Sequence, residues 1–198
     1  MRQLQEVNKK MKYFSILLLI ASPAVAADQC LGVDAQASTS FSEQVQSSNC
    51  HVRMSSTGYP LPDPKCTPGA SNPTVTENIL RNPSFRTKCV RDGATSASQK
   101  RSVYAAYGIK PPTHNTGKTQ VCELDHLSSL EIAGADTLDN IWPQCGPANV
   151  PLAKRWFKIK DMVENYLARE VKAGRMSVEE AQHGIADDWS QYVPFIKH

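Results

Sequence analysis

The sequence predicts an α+β fold, mostly helical, in which a short ββ hairpin is followed by a long helix, with flanking helices and disulfides. Three observations carry that expectation. Two short strand-like runs, residues 121–130 and 138–142, flank a small-residue turn at Ala133-Gly134-Ala135-Asp136. A stripe at helical spacing (Trp156, Ile159, Val163, Tyr166, Leu167) follows, in a segment that opens at Pro151 and ends at Gly174. Six cysteines stand at positions 30, 50, 66, 89, 122 and 145, an even count that argues for disulfides if the chain is exported.

Export is expected from the first residues. Lys9, Lys10 and Lys12 precede an apolar run over 13–21 and then Ala24-Val25-Ala26, the three regions of a secretory signal peptide over 1–26, with cleavage after Ala26 or Ala27. The apolar run is too short to span a bilayer, and Met11 offers a second possible start. The expected product is periplasmic or secreted, without membrane attachment after cleavage. Removing 26 of the 198 residues leaves 172, enough for one domain. Residues 27–65, rich in Ser, Gln and Pro, read as an irregular arm, and 66–198 as the folded domain.

The elements follow in order. Thr74 and Glu77 have capping-box spacing and open a short helix that stops near Asn82-Pro83. Ser98 is placed to cap a second helix with Val103, Tyr104 and Tyr107 on one side and Gly108 at its end. Pro111-Pro112 then forces an extended approach to the hairpin. After the long helix, Ser177 and Glu180 form another capping box, and Val178, Ala181, Ile185 and Trp189 line one face of the last helix. Trp142, Trp156 and Trp189 read as core anchors. No CxxC occurs, which argues against a four-cysteine zinc site. Six cysteines allow fifteen pairings; nearest-neighbour pairing, 30–50, 66–89 and 122–145, is the expected one. The last would staple the hairpin base, worth about 3 kcal/mol.

Charge excludes one simple reading. The formal charge of +3 falls to zero once residues 1–26, with four basic side chains and one acid, are removed. Net charge alone therefore gives no support to a strongly basic nucleic-acid binder. The distribution says more: residues 81–118 hold eight Lys or Arg and one Asp, whereas 119–146 hold five acids and no Lys or Arg. A basic segment beside an acidic, histidine-containing one suits a metal site next to a polyanion.

The chemistry concentrates in CELDHLSSLEIAGADTLDN, residues 122–140. Phosphodiester hydrolysis needs an activated water, a cation near the leaving oxygen, and groups that hold both. His126 is the best general base, because imidazole titrates near neutral pH. Asp125 can give a hard oxygen to a divalent ion. Asn140 can orient the His126 ring or the backbone beside it. Adjacent strand residues point to opposite faces, so Asp125 and His126 share a site only at a strand end or bulge.

ELDHLSSLEIAGADTLDNIWPQ resembles the ββ half of the HNH endonuclease motif, the ββα-metal nucleases, in which an acid-His pair is followed by a turn and an Asn. With Cys66-Thr67-Pro68-Gly69-Ala70, Tyr107-Gly108, KDMVEN and EEAQHGIADDW, the chain is similar to a group of small exported bacterial HNH-like proteins over residues 66–189. The resemblance implies a metal-dependent endonuclease acting on nucleic acid, with His126 as general base, Asn140 orienting it, and Asp125 a metal ligand. Asp161 or Glu164, three apart on one helix face, would complete the site for one divalent ion, Mg²⁺ first, with Mn²⁺, Ca²⁺ and Zn²⁺ open. Lys160 would meet a phosphate oxygen beside it. Lys154, Arg155 and Lys158 are further candidates to grip phosphates, and the basic segment, with Arg91, Lys100 and Arg101, to guide the backbone. The chain departs from the group's pattern at two places: Ser128-Ser129 stands for Ile-Pro, and Ala133-Gly134 for Gly-Gly. A second function class stays open, a non-catalytic exported binding protein that keeps the scaffold. Neither DNA against RNA nor the oligomeric state is decided by these residues, and no role falls to His51, His114, His183 or His198.

Overall fold

The computed structural model describes residues 30–39, 49–91 and 97–196; the signal-peptide segment lies outside them. The fold is α+β. Strand β1 (Arg53–Met54) pairs antiparallel with β2 (Pro60–Leu61), and helices α1 (Glu77–Arg81) and α2 (Ala97–Ala106) follow. Strands β3 (Cys122–His126) and β4 (Ile141–Cys145) form the central hairpin, with α3 (Trp156–Lys172), α4 (Val178–Asp188) and a 3₁₀ segment, Trp189–Phe195, after it. Among the described residues no helix is long and apolar enough to cross a membrane.

The hairpin lies between two layers. Val103 of α2 and Tyr107 just after that helix pack with Leu127, Ile141 and Trp142 in one apolar cluster. Val163, Leu167, Ala168 and Val171 of α3 pack with Leu80, Ile132, Ile185 and Trp189 in the larger one. Trp142 and Trp189 are fully buried, as core anchors should be, while Trp156 is partly exposed. The buried line of α3 runs through Phe157, Lys160, Val163, Leu167 and Val171, rotated from the expected stripe. Ile159 and Tyr166 sit at its margin. The rotation places a lysine in the core.

Several local expectations are corrected. The N-cap of α1 is Thr76, not Thr74, because Thr74 donates its hydroxyl to Asn72 Oδ1 at 2.6 Å. Ser98 lies inside α2, which starts one residue earlier. α3 begins at Trp156, since residues 152–154 form a separate 3₁₀ turn after Pro151. The Ser177 cap is as read, with its hydroxyl accepting from Glu180 N–H at 3.0 Å. The described parts of the arm hold turns at 30–39 and the β1–β2 hairpin, which the indole N–H of Trp189 holds through the Pro60 carbonyl at 2.8 Å.

The disulfides are Cys30–Cys89, Cys50–Cys66 and Cys122–Cys145. The hairpin staple is the expected one; the 30–50 and 66–89 pairings are overturned. Cys50 and Cys66 meet in the α2-side core, joined there by the β1–β2 hairpin that doubles the chain back. Cys30 pairs instead with Cys89, 59 residues on.

Candidate active site

β3 ends at His126 rather than continuing to residue 130. Its ladder with β4 runs from Cys122↔Cys145 to His126↔Ile141. Beyond it the side chain of Asn140 takes over. Its Oδ1 accepts from Ser128 N–H at 2.8 Å, and its Nδ2 donates to the carbonyls of Ser128 and Ala135 at 2.9 and 2.7 Å. The expected tight turn is therefore a longer connection with two 3₁₀ turns, Leu130–Ile132 and Leu138–Asn140. β4 starts at Ile141 and continues through Pro143, which is tolerated because every strand of a two-stranded sheet has an open edge.

Asn140 is fully buried and acts on backbone rather than on the imidazole. The two carbonyls it holds stand two residues after His126 and one before Asp136. It thus sets the separation of those two side chains. His126 Nε2 lies 2.7 Å from Asp136 Oδ1, and Lys100 Nζ donates to both Asp136 oxygens at 2.6 and 2.8 Å. Asp136 is 1 % exposed. Burial pushes its carboxyl up, but the hydrogen bonds from His126 and Lys100 outweigh that and hold it down at about 2. A carboxylate on Nε2 selects the tautomer with its proton there, leaving Nδ1 as the basic atom. Asp136 was not singled out from the sequence; an acid directly after a small-residue turn, ten residues from the histidine, was the available signal.

The other face of β3 meets α3. Glu123 pairs with Lys158 at 3.5 Å, and Asp125 Oδ2 lies 2.8 Å from Lys160 Nζ. Lys160 Nζ also donates to the His126 carbonyl at 2.6 Å and to Glu164 Oε1. Asp161 is held by Lys158 at 2.6 Å. Burial pushes the Asp125 carboxyl up to about 6 despite Lys160 beside it, and the Glu164 carboxyl also rises because of its burial.

Asp125, His126, Asp161 and Glu164 line one open cleft of about 410 Å³, with Arg91 and Thr87 on its wall. His126 reaches it because it ends its strand, which meets the objection from strand alternation. Glu123 and Glu131 add two more carboxylates to the lining. The phosphate contacts assigned by sequence are largely redirected. Lys160 is fully buried in an ion cluster and Lys100 is engaged by Asp136. Arg155 is buried, donating to the Lys118 carbonyl at 2.9 Å. Lys154 and Arg101 are exposed but away from the cleft lining, so only Arg91 among these cations borders it.

As placed, Asp125 and Glu164 do not fit a divalent ion between them. Among the described residues no group of three or more His, Cys, Asp or Glu converges to hold a metal. The gap between Asp125 and Glu164 is filled by the Lys160 ammonium. Compared with known proteins, the chain matches no family model, no curated sequence and no solved structure.

Proposed function

We propose that this chain is an exported hydrolase, periplasmic or secreted, that cleaves phosphodiester bonds of nucleic acid with His126 as general base. The observation that carries the reading is the His126–Asp136 contact of 2.7 Å at the wall of an open cleft. An imidazole whose outer nitrogen is fixed by a buried carboxylate is oriented, kept in one tautomer, and stabilised once it becomes imidazolium. Nδ1 of His126 takes a proton from water as the water oxygen bonds to phosphorus. The phosphorus–oxygen bond to the leaving group breaks, and that oxygen takes a proton from solvent. Arg91, at the cleft wall, supplies the guanidinium for a phosphate oxygen. The three disulfides are compatible with an oxidising compartment.

The test is cleavage of DNA and RNA by the oxidised protein, with EDTA and with each of Mg²⁺, Mn²⁺, Ca²⁺ and Zn²⁺. His126→Ala is expected to lose about 100-fold or more in rate. Equal rates for variant and wild type, or no cleavage by wild type in any buffer, would defeat the proposal. A second reading, a non-catalytic binding protein on the same scaffold, is favoured by one observation: five carboxylates line the cleft against one arginine. Nucleic-acid or protein binding that persists in both chelator and His126→Ala, without cleavage, would select it.

A further inference from the structure

Lys160 stands between Asp125 and Glu164, two of the carboxylates expected from the sequence to hold a divalent ion. Its side chain is 0 % exposed, in the apolar line of α3 between Phe157 and Val163. Three oxygens surround Nζ: the His126 carbonyl at 2.6 Å, Asp125 Oδ2 at 2.8 Å, and Glu164 Oε1. Two of the ammonium's three N–H groups donate to the His126 carbonyl and Glu164 Oε1, and Asp125 Oδ2 pairs with it by charge. Two of the three oxygens belong to carboxylates expected to hold the divalent ion.

A charge this deep is stable only with opposite charge in contact. Burial pulls the Lys160 pKa down, and Asp125 with Glu164 reverses this and holds it above the ordinary lysine value. Hard divalent ions bind oxygens at roughly 2.0–2.6 Å, so an ion between Asp125 and Glu164 would overlap the ammonium. The lysine cannot swing aside as a surface residue would, since it is packed in the core.

We propose that Lys160 is the resident cation of this core, with its ammonium standing where a divalent ion would otherwise sit, so that the native chain binds no metal between Asp125 and Glu164. The inference does not depend on whether the cleft hydrolyses anything. Its corollary is that removing the amine converts the cluster into a cation site of two carboxylates and one carbonyl.

The probe is MnCl₂, titrated into the oxidised protein and followed by electron paramagnetic resonance, with thermal unfolding in Mg²⁺, Ca²⁺, Mn²⁺ or EDTA. For the wild type, no saturable Mn²⁺ binding and the same Tm in every buffer are expected. Saturable Mn²⁺ binding by the wild type that Asp125→Asn abolishes would overturn the proposal. Lys160→Ala is expected to bind Mn²⁺ and to gain about 5 °C or more in Tm at saturating ion. That gain should vanish when Asp125→Asn is added. A folded Lys160→Ala that binds no Mn²⁺ also overturns it; if that variant does not fold, the wild-type titration decides alone. Neither readout involves cleavage, so failure here is distinct from failure of the hydrolase reading.

Discussion

Asp125 and Asp136 stand on either side of His126, both nearly inaccessible, yet their carboxyls are driven in opposite directions. Burial raises Asp125 to about 6, whereas Asp136, held by hydrogen bonds from His126 and the Lys100 ammonium, falls to about 2. The signs for stability follow. In the unfolded chain both start from 3.8. A raised acid keeps its proton longer in the native state, so its contribution is full below 3.8 and is lost as pH rises through about 6. A lowered acid contributes above 3.8 and loses that contribution as pH falls through about 2, an effect on the order of 2 kcal/mol. Glu123 and Glu164, both raised chiefly by burial, add to the Asp125 slope. Denaturant unfolding from about pH 2 to pH 7 should therefore show a stability maximum near pH 4. Asp125→Asn should flatten the alkaline side and Asp136→Asn the acidic side. A wild type whose stability climbs steadily to neutral pH would contradict the burial of Asp125.

The hairpin depends on a connection that sequence pattern described only coarsely. Strand runs and a small-residue turn were legible, because alternation and Ala-Gly-Ala mark them locally. The early end of β3 was not, because it is imposed by a side chain from fourteen residues away, Asn140, acting on the Ser128 backbone. Gly134 shows how tight the resulting loop is. A Cβ there would stand 1.8 Å from the Ser128 carbonyl oxygen, which Asn140 Nδ2 holds, and 2.9 Å from that of Ser129, which accepts from the Ile132 and Gly134 N–H groups. Gly134→Ala should cost about 3 kcal/mol or more by overpacking, read as a fall in denaturation midpoint. Its neighbour Ala133 has φ of 64°, where glycine would be less strained, but its methyl is buried in the core. At that site strain of about 1 kcal/mol and burial of about 0.8 kcal/mol nearly cancel, which explains how the chain tolerates alanine there. The buried lysine of α3 had a visible signal too: it falls three residues from both Phe157 and Val163 on a helical period.

At the scale of the whole molecule, the α+β class, the hairpin–helix order and the Ser177 cap were readable, since each rests on local spacing. The disulfide pairing was not, since it follows from which segments the core brings together. Loop length ranks the bridges. Cys30–Cys89 spans 59 residues and Cys50–Cys66 spans 16, so the chain-entropy argument gives about 4 and about 3 kcal/mol. Replacing both Cys30 and Cys89 by Ser should lower unfolding free energy more than replacing Cys50 and Cys66, provided each variant keeps its remaining bridges. The same connectivity has a temporal meaning. The short bridge lies wholly inside the long one, like a knot tied within a loop of cord. A chain oxidised in the order its thiols emerge meets Cys50, then Cys66, as partners for Cys30 before Cys89 exists. The first bond available to it is therefore a wrong one, and a chain that forms it regains the native pattern by exchange between thiols and disulfides. Where that wrong bond forms, maturation of this protein depends on reshuffling bonds as well as on making them.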